Sequence, residues 1–337
     1  MSTETATDSR ERRPQGSALH DFLLARAPVL SIAAFFALVC LYFAGSTSAF
    51  LSDVNLLNLL RQAAPNLIVG IAMTFVITTG GIDLSVGSTV ALVNALAAIS
   101  LQAGVPWPLV MLLMLALGAL IGAVQGWFVA YEAIPAFIVT LAGLSALRGV
   151  ALLLTQGYSV PIASTSPFVE IGRGWFFGIP LPAALGLLVA AAGGVALAQA
   201  RYGRYVTAIG ANAEAARRAG IAVRRVTLST YVLSGLAAAL AGIVIAARLG
   251  SGSSNAAVGF ELDVIAAVVL GGTSLMGGRG TILGTVLGSL TIALIGNGLI
   301  LSHISPFFTQ IVTGAIILAA IWLNTRLFAT ARRVRLR

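Results

Sequence analysis

Apolar runs of about twenty residues follow one another along nearly the whole chain. A helix of that length covers the ~30 Å hydrocarbon core of a bilayer. The composition agrees: 58% of the 337 residues are hydrophobic and 9% are charged, where a soluble domain carries about 25% charged residues. The expected fold is an all-α polytopic membrane protein. Ten spans are marked: 27–45, 63–80, 84–102, 107–130, 134–155, 181–200, 227–247, 261–273, 281–301 and 307–326.

Arginine placement sets the expected orientation, because cytoplasmic segments collect positive charge. Arg10, Arg12, Arg13 and Arg26 precede the first span. Arg201, Arg204, Arg217, Arg218, Arg224 and Arg225 crowd the segment after the sixth. Arg326, Arg332, Arg333, Arg335 and Arg337 follow the tenth. With ten crossings and both termini inside, all three clusters fall on the cytoplasmic side. Residues 1–26 then read as a disordered cytoplasmic tail, 27–326 as the membrane domain and 327–337 as a basic cytoplasmic tail.

All 20 basic residues are arginine. A phosphate-binding P-loop needs a lysine, so the chain carries no such nucleotide site. Its single cysteine, Cys40, lies in an apolar run and reads as core. The run from Ala27 to Gly45 is longer than a signal-peptide core, and Arg12–Arg13 lack the pattern expected after a twin arginine. His20 and His303 are too far apart in sequence to suggest a metal site. No residue is assigned a catalytic role.

Residues 156–180 read as a structured external loop. Its Trp175 and Phe176 fit either an interfacial aromatic belt or a docking surface. Gly118, Gly122 and Gly126 stand four apart, as do Gly280, Gly284 and Gly288. Small residues at that spacing line one helix face and allow close packing. Two stretches, "VITTGGIDLSVGST" and "VVLGGTSLMGGRGT", are faintly alike; transporters are often built from internal repeats.

"TTGGIDLSVGS", residues 78–88, places a carboxylate inside an apolar region. A charge deep in a bilayer costs at least ~2.5–3.5 kcal/mol and rarely faces lipid. Gly80–Gly81 break a helix, and broken helices persist only where the freed backbone lines a cavity or is buried in protein. Asp83 and Ser85 stand where a new helix starts, so they suit a cap at its positive end. Asn94 lies three turns on, sharing a face with Asp83 and Gly87. Two readings follow, a structural re-entrant corner near 80–84 or an element of the substrate pathway. Asn66, Gln125, Asn297 and Gln310 either bridge helices or touch solute. Glu261 and Asp263 open the short eighth span and are expected at the interface.

The segment 201–226 lies between two spans on the cytoplasmic side. Within it "NAEAARRAG" has a cap at Asn212 and a glycine stop at Gly220. It suits either a rigid contact with another protein or a basic loop on lipid headgroups.

"EAARRAG", residues 214–220, resembles the coupling-loop core of ABC-importer permeases. "LLRQAAPNLIVGIAMTFVITTGGIDLSVGS" (59–88), "IPAFIVTLAGLSALRGVALLLTQG" (134–157) and "ELDVIAAVVLGGTSLMGGRGTILGTVLGS" (261–289) are similar to the ribose/xylose/arabinose/galactose-type permeases. The likeness covers about residues 50–320, although the coupling core lacks the I-x-L-P element of many other importers. The resemblance implies a permease subunit in a bacterial inner membrane. It implies a periplasmic or lipid-tethered sugar-binding protein, a second permease subunit (the same chain or a paralogue) and a separate ATPase. ATP and Mg²⁺ belong to that ATPase; no cofactor on this chain and no nucleic-acid partner is expected. Asn212, Glu214, Ala215, Ala216, Arg217 and Gly220 would form the coupling element. A monosaccharide or related polyol is the implied cargo. An ion-coupled sugar carrier using Asp83 or Glu261 is the alternative.

Overall fold

The computed structural model describes residues 18–305 and, beyond them, 308, 311, 314, 315, 318, 319 and 322. Most of the tenth expected span, with Gln310, and the 327–337 tail lie outside the described residues. The chain begins with the helices α1 (Ala18–Ser46), α2 (Asp53–Thr78), α3 (Val86–Gln102), α4 (Trp107–Ala130) and α5 (Ala136–Thr155). A short strand β1 (Val160–Pro161), a 3₁₀ turn (Pro167–Val169), α6 (Glu170–Arg173) and the hairpin β2 (Trp175–Phe176) and β3 (Ile179–Pro180) form the 156–180 loop. Then come α7 (Leu181–Ala198), α8 (Arg201–Ala211), α9 (Ala213–Arg218), α10 (Val223–Leu249), β4 (Ser251–Gly252), α11 (Phe260–Leu270) and α12 (Ile282–Leu301).

Seven of these helices are long and apolar enough to cross a membrane: α1, α2, α4, α5, α7, α10 and α12. The expected third and eighth spans are helices too, but short ones of 17 and 11 residues, α3 and α11. Both adjoin Gly-Gly corners, at Gly80–Gly81 and Gly271–Gly272, where Gly81 and Gly271 are buried and the backbone bends with φ of +88° at the exposed Gly80 and +91° at Gly272. Only glycine adopts that region without strain.

Helix ends differ from expectation in two places. α1 starts at Ala18, nine residues ahead of the apolar run; nothing between Ala18 and Ala27 breaks a helix. α2 starts at Asp53, ten residues early, after a cap in which Ser52 Oγ accepts the Asn55 N–H. Its polar first turns masked it, and Pro65 sits inside without ending it.

α2 and α10 form the buried centre. Val69, Met73, Val76 and Ile77 of α2 meet Tyr231, Ala238, Ala241 and Ile245 of α10, with Val264 and Val268 of α11 against them. α4 lies flat on α10 because its glycines allow it. A Cβ at Gly118 would run into the Gly235 carbonyl, at Gly122 into the Tyr231 carbonyl, and at Gly126 it would stand 2.9 Å from the Leu228 carbonyl. The second glycine row is split. Gly284 and Gly288 pack on Gly271 and Ala267 of the α11 side, but Gly280 precedes α12 and faces Thr78 and Thr74 of α2. The expectation of one continuous glycine face therefore fails at Gly280, because the helix begins only after the Thr281 cap.

One end of the bundle is closed by the 156–180 loop. β1 pairs with β4, Gln102 Nε2 donates to the Pro161 carbonyl at 3.0 Å, and Arg61 stacks 5.0 Å from the centre of the Trp175 ring. Trp175 and Phe176 remain about half exposed. The opposite end carries α8 and α9.

Candidate functional site

Two places hold the sequence-predicted residues: a buried corner between α2 and α3, and the α8–α9 segment outside the bundle.

At the corner, Asp83 is 2% exposed. Its Oδ1 accepts the Ser85 N–H at 3.0 Å and the Ser85 hydroxyl at 2.7 Å; its Oδ2 accepts the Ser234 hydroxyl of α10 at 2.7 Å. The carboxylate thus sits at the start of α3, where free N–H groups favour negative charge. Among the described residues no salt bridge reaches it. Ser85 Oγ also lies 2.9 Å from the Gln125 amide of α4. The amide atom there is Oε1, an acceptor, so the single Ser85 hydroxyl proton is shared between Asp83 Oδ1 and Gln125 Oε1, the shorter contact being to Asp83.

The helix break frees the Ile82 carbonyl, and hydroxyls from two other helices answer it. Thr140 Oγ1 of α5 lies 3.3 Å from it, sharing its proton with the Ala136 carbonyl at 2.9 Å, and the Tyr231 hydroxyl of α10 donates at 3.5 Å. Gly81 is small because that phenol lies beside it; a Cβ would stand 2.5 Å from its oxygen.

The polar stripe does not act as one group. Asn94 Oδ1 accepts the Ser253 N–H at 2.6 Å and its amide reaches the Gly242 carbonyl at 3.5 Å, away from Asp83. Gly87 faces Glu261 and the Ala257 carbonyl. The segment 251–261 lies along this face, held by Arg148 of α5, which donates to the carbonyls of Ser254, Ala256 and Ala257 at 2.6, 2.8 and 3.3 Å. Glu261 is not simply interfacial as expected: its Oε2 is buried and makes no hydrogen bond, while Asp263 is exposed. Asn66 Oδ1 is likewise buried without a partner. Asn297 bonds Asn55 across α12 and α2 at 2.9 Å.

A second corner, 271–281, meets the first. The Gly278 N–H donates to the Thr78 carbonyl at 2.9 Å, and the Thr74 and Thr285 hydroxyls lie 2.7 Å apart. The two stretches that look alike in sequence are therefore neighbours in space.

On the exposed side, Asn212 Oδ1 caps α9 by accepting the Ala215 N–H at 2.9 Å. Gly220 turns the chain after it with φ +83°. Glu214, Ala215 and Arg217 are exposed, and only Ala216 is buried against the protein. Glu214 bonds Arg217 at 2.8 Å and Arg218 at 3.0 Å, and those bonds hold its carboxyl below the ordinary carboxylate range.

Sequence reasoning missed α8. Its signal was present: Tyr202, Val206 and Ile209 recur at helical spacing within "RYGRYVTAIGA". Its last turn carries the junction between the two places. Gly210 packs backbone to backbone; a Cβ there would overlap both the Thr78 carbonyl oxygen and the Gly278 nitrogen. Gly277, with φ +78°, lies against Gly210 and Gly80.

A polytopic helical protein with protein-lined broken helices and a capped surface helix at one end has the build of a membrane permease. The chain belongs to the family described as branched-chain amino acid transport system / permease component, whose model matches residues 55–321. It is similar to the ribose import permease protein RbsC of Haemophilus influenzae, 40% identical over 81% of this chain and 85% of that one. It is 44% identical to the probable ABC transporter permease protein YphD of Escherichia coli, over 92% of this chain and 94% of the relative. The xylose transport system permease protein XylH of Escherichia coli is 36% identical over 90% and 92%. No solved structure matches. The chain is thus the translocation subunit of an ABC importer in the bacterial inner membrane, with ATP hydrolysis on a separate chain.

Proposed function

We propose that this permease passes a monosaccharide or related polyol, delivered by an extracytoplasmic binding protein, through a path shared with a second permease subunit. Relatives named for ribose and xylose support the cargo class. In this reading ten spans leave both termini in the cytoplasm, and a partner ATPase that binds ATP and Mg²⁺ grips α9. Asn212, Glu214, Ala215, Arg217 and Gly220 form the docking element, and Ala216 anchors it.

The observation that carries the coupling reading is the Gly210 junction. Displacement of α9 pulls on α8, and Gly210 is wedged where the two corners hydrogen-bond. Packed interiors transmit such shifts because they do not compress. Asp83 and Ser85 then act as the brace that keeps the α2–α3 corner rigid while it moves. Asp83 has its oxygens occupied by serine donors and is sealed from solvent, which supports a brace over an ion site.

Proteoliposomes holding the chain, its partner ATPase and its binding protein test this. ATP hydrolysis should rise with one loaded sugar and the uptake should follow it. Uptake driven by an ion gradient without the ATPase would overturn it.

A further inference from the structure

A groove of about 370 Å³ runs along the outside of the bundle, away from both corners. Its floor is α2 and α10, with Ile68 and Ala237; its walls include Leu115 of α4 and Val189 of α7. It is within the ~300–1,000 Å³ range of small-molecule sites, but it offers a sugar nothing to bond. The one hydroxyl in its lining, that of Tyr202 at the α8 end, is engaged 2.8 Å from Ser229 Oγ. The Tyr202 ring lies 5.8 Å from that of Phe75 and closes that end. Gly193 keeps the wall thin, since a Cβ there would strike Ile71. Along the outward rim Ala192 and Leu233 are exposed, so the groove opens on the outer surface of the helices α4, α7 and α10.

The closed end is not apolar outside. Arg201 and Arg204 flank Tyr202 in α8, and both are exposed. Among the described residues neither is in an ion pair; the salt bridges there belong to Glu214 with Arg217 and Arg218. Arg204 donates to the Gln199 carbonyl at 3.3 Å, which sets it on the α7–α8 turn that joins the lining residues Ala196 and Tyr202. A guanidinium is shaped for phosphate oxygens, and basic sites at the ends of membrane helices take anionic headgroups.

We infer that this groove is an anionic-phospholipid site, with an acyl chain between α4 and α7 and the lipid phosphate on Arg201 and Arg204. With α8 at the cytoplasmic end the lipid belongs to the cytoplasmic leaflet, and only that leaflet assignment rests on the orientation proposed above. A bound lipid would brace α8 from outside, on the element whose far end is the Gly210 junction.

The test uses the purified full chain in detergent with phosphatidylglycerol or, separately, phosphatidylcholine. Retained lipid is read by native mass spectrometry and stability by melting temperature. Phosphatidylglycerol should be retained preferentially and raise the melting temperature. The double variant R201Q/R204Q should lose about tenfold in phosphatidylglycerol retention, as expected for ~1.4 kcal/mol from charge-assisted contacts, with a smaller loss for phosphatidylcholine, whose choline offsets its phosphate charge. Ala192→Trp, at an exposed wall position, should fill the groove and reduce retention of both lipids. Equal retention of the two lipids by the unmodified chain would overturn the assignment. So would unchanged phosphatidylglycerol retention in Ala192→Trp, or a dimer that this variant splits, which would give the groove to a second copy. None of these readouts needs the ATPase, so a failure here leaves the importer reading standing.

Discussion

Asp83 and Glu214 are both acidic residues near the start of a helix, in opposite media. Asp83 is sealed in the protein and held by two serines and a backbone N–H, with no cation paired to it. Glu214 stands in water and is held by two arginines on its own helix. The lesson is about what each medium makes costly. A buried acceptor that loses its partners, or a buried donor left without its acceptor, costs about 1–3 kcal/mol. Exposed ion pairs are screened and contribute little. The corner should therefore be sensitive to the loss of hydrogen bonds, and the surface helix to the loss of its shape.

The sharpest way to break this contrast is Asp83→Leu. It leaves the Ser234 hydroxyl and the Ser85 N–H without an acceptor, and the folded yield and melting temperature of the solubilised chain should collapse. Asp83→Asn keeps an oxygen for Ser85, and uptake in proteoliposomes should stay near that of the unmodified chain. A dead Asp83→Asn that melts normally would show that the charge itself is used in transport.

Gly210→Ala comes next. Overpacking a close contact costs about 1–3 kcal/mol, and here it pushes the two corners apart. Uptake should fall about tenfold or more, the equivalent of ~1.4 kcal/mol, while basal hydrolysis by the partner ATPase persists. Equal loss of both activities would point to misassembly instead of uncoupling.

Gly220→Ala should do less. A side chain meets nothing there, but φ +83° costs an L-residue roughly 1–2 kcal/mol. Sugar-stimulated hydrolysis should drop, and Gly220→Asn should recover part of it because asparagine tolerates that backbone.

Glu214→Gln should leave the melting temperature unchanged and alter only stimulated hydrolysis. The pH dependence has a definite sign. Its carboxyl is held below the usual range, so its ion pairs are present at neutral pH and are lost only as pH falls through that lowered value. Stimulated hydrolysis should be flat down to about pH 5, above the ordinary carboxylate pKa. A midpoint near pH 6 would assign the titration to another group.

Much of this was legible in the sequence. Nine of the ten expected spans are helices in the described residues, two of them short. The Asn212 cap, the Gly220 turn and the break at Gly80 stand where the residues place them. Such features are local: hydrophobicity sums along one stretch, a cap involves three neighbours, and a positive φ belongs to one residue. Polar first turns hid the start of α2, and a mixed basic and aromatic surface hid α8, because both look like loop until a partner covers one face.

The tertiary structure alone decided who meets whom. Ser234, the partner of Asp83, lies 151 positions away. The Ile82 carbonyl is answered from α5 and α10, Gly280 turns to α2 and not to α11, and Gly210 touches both corners. No periodicity encodes these meetings, since they depend on how helices cross and how closely glycines let them approach. The sequence determined that this chain lives in a membrane and where its backbone bends; the packing decided which bends touch.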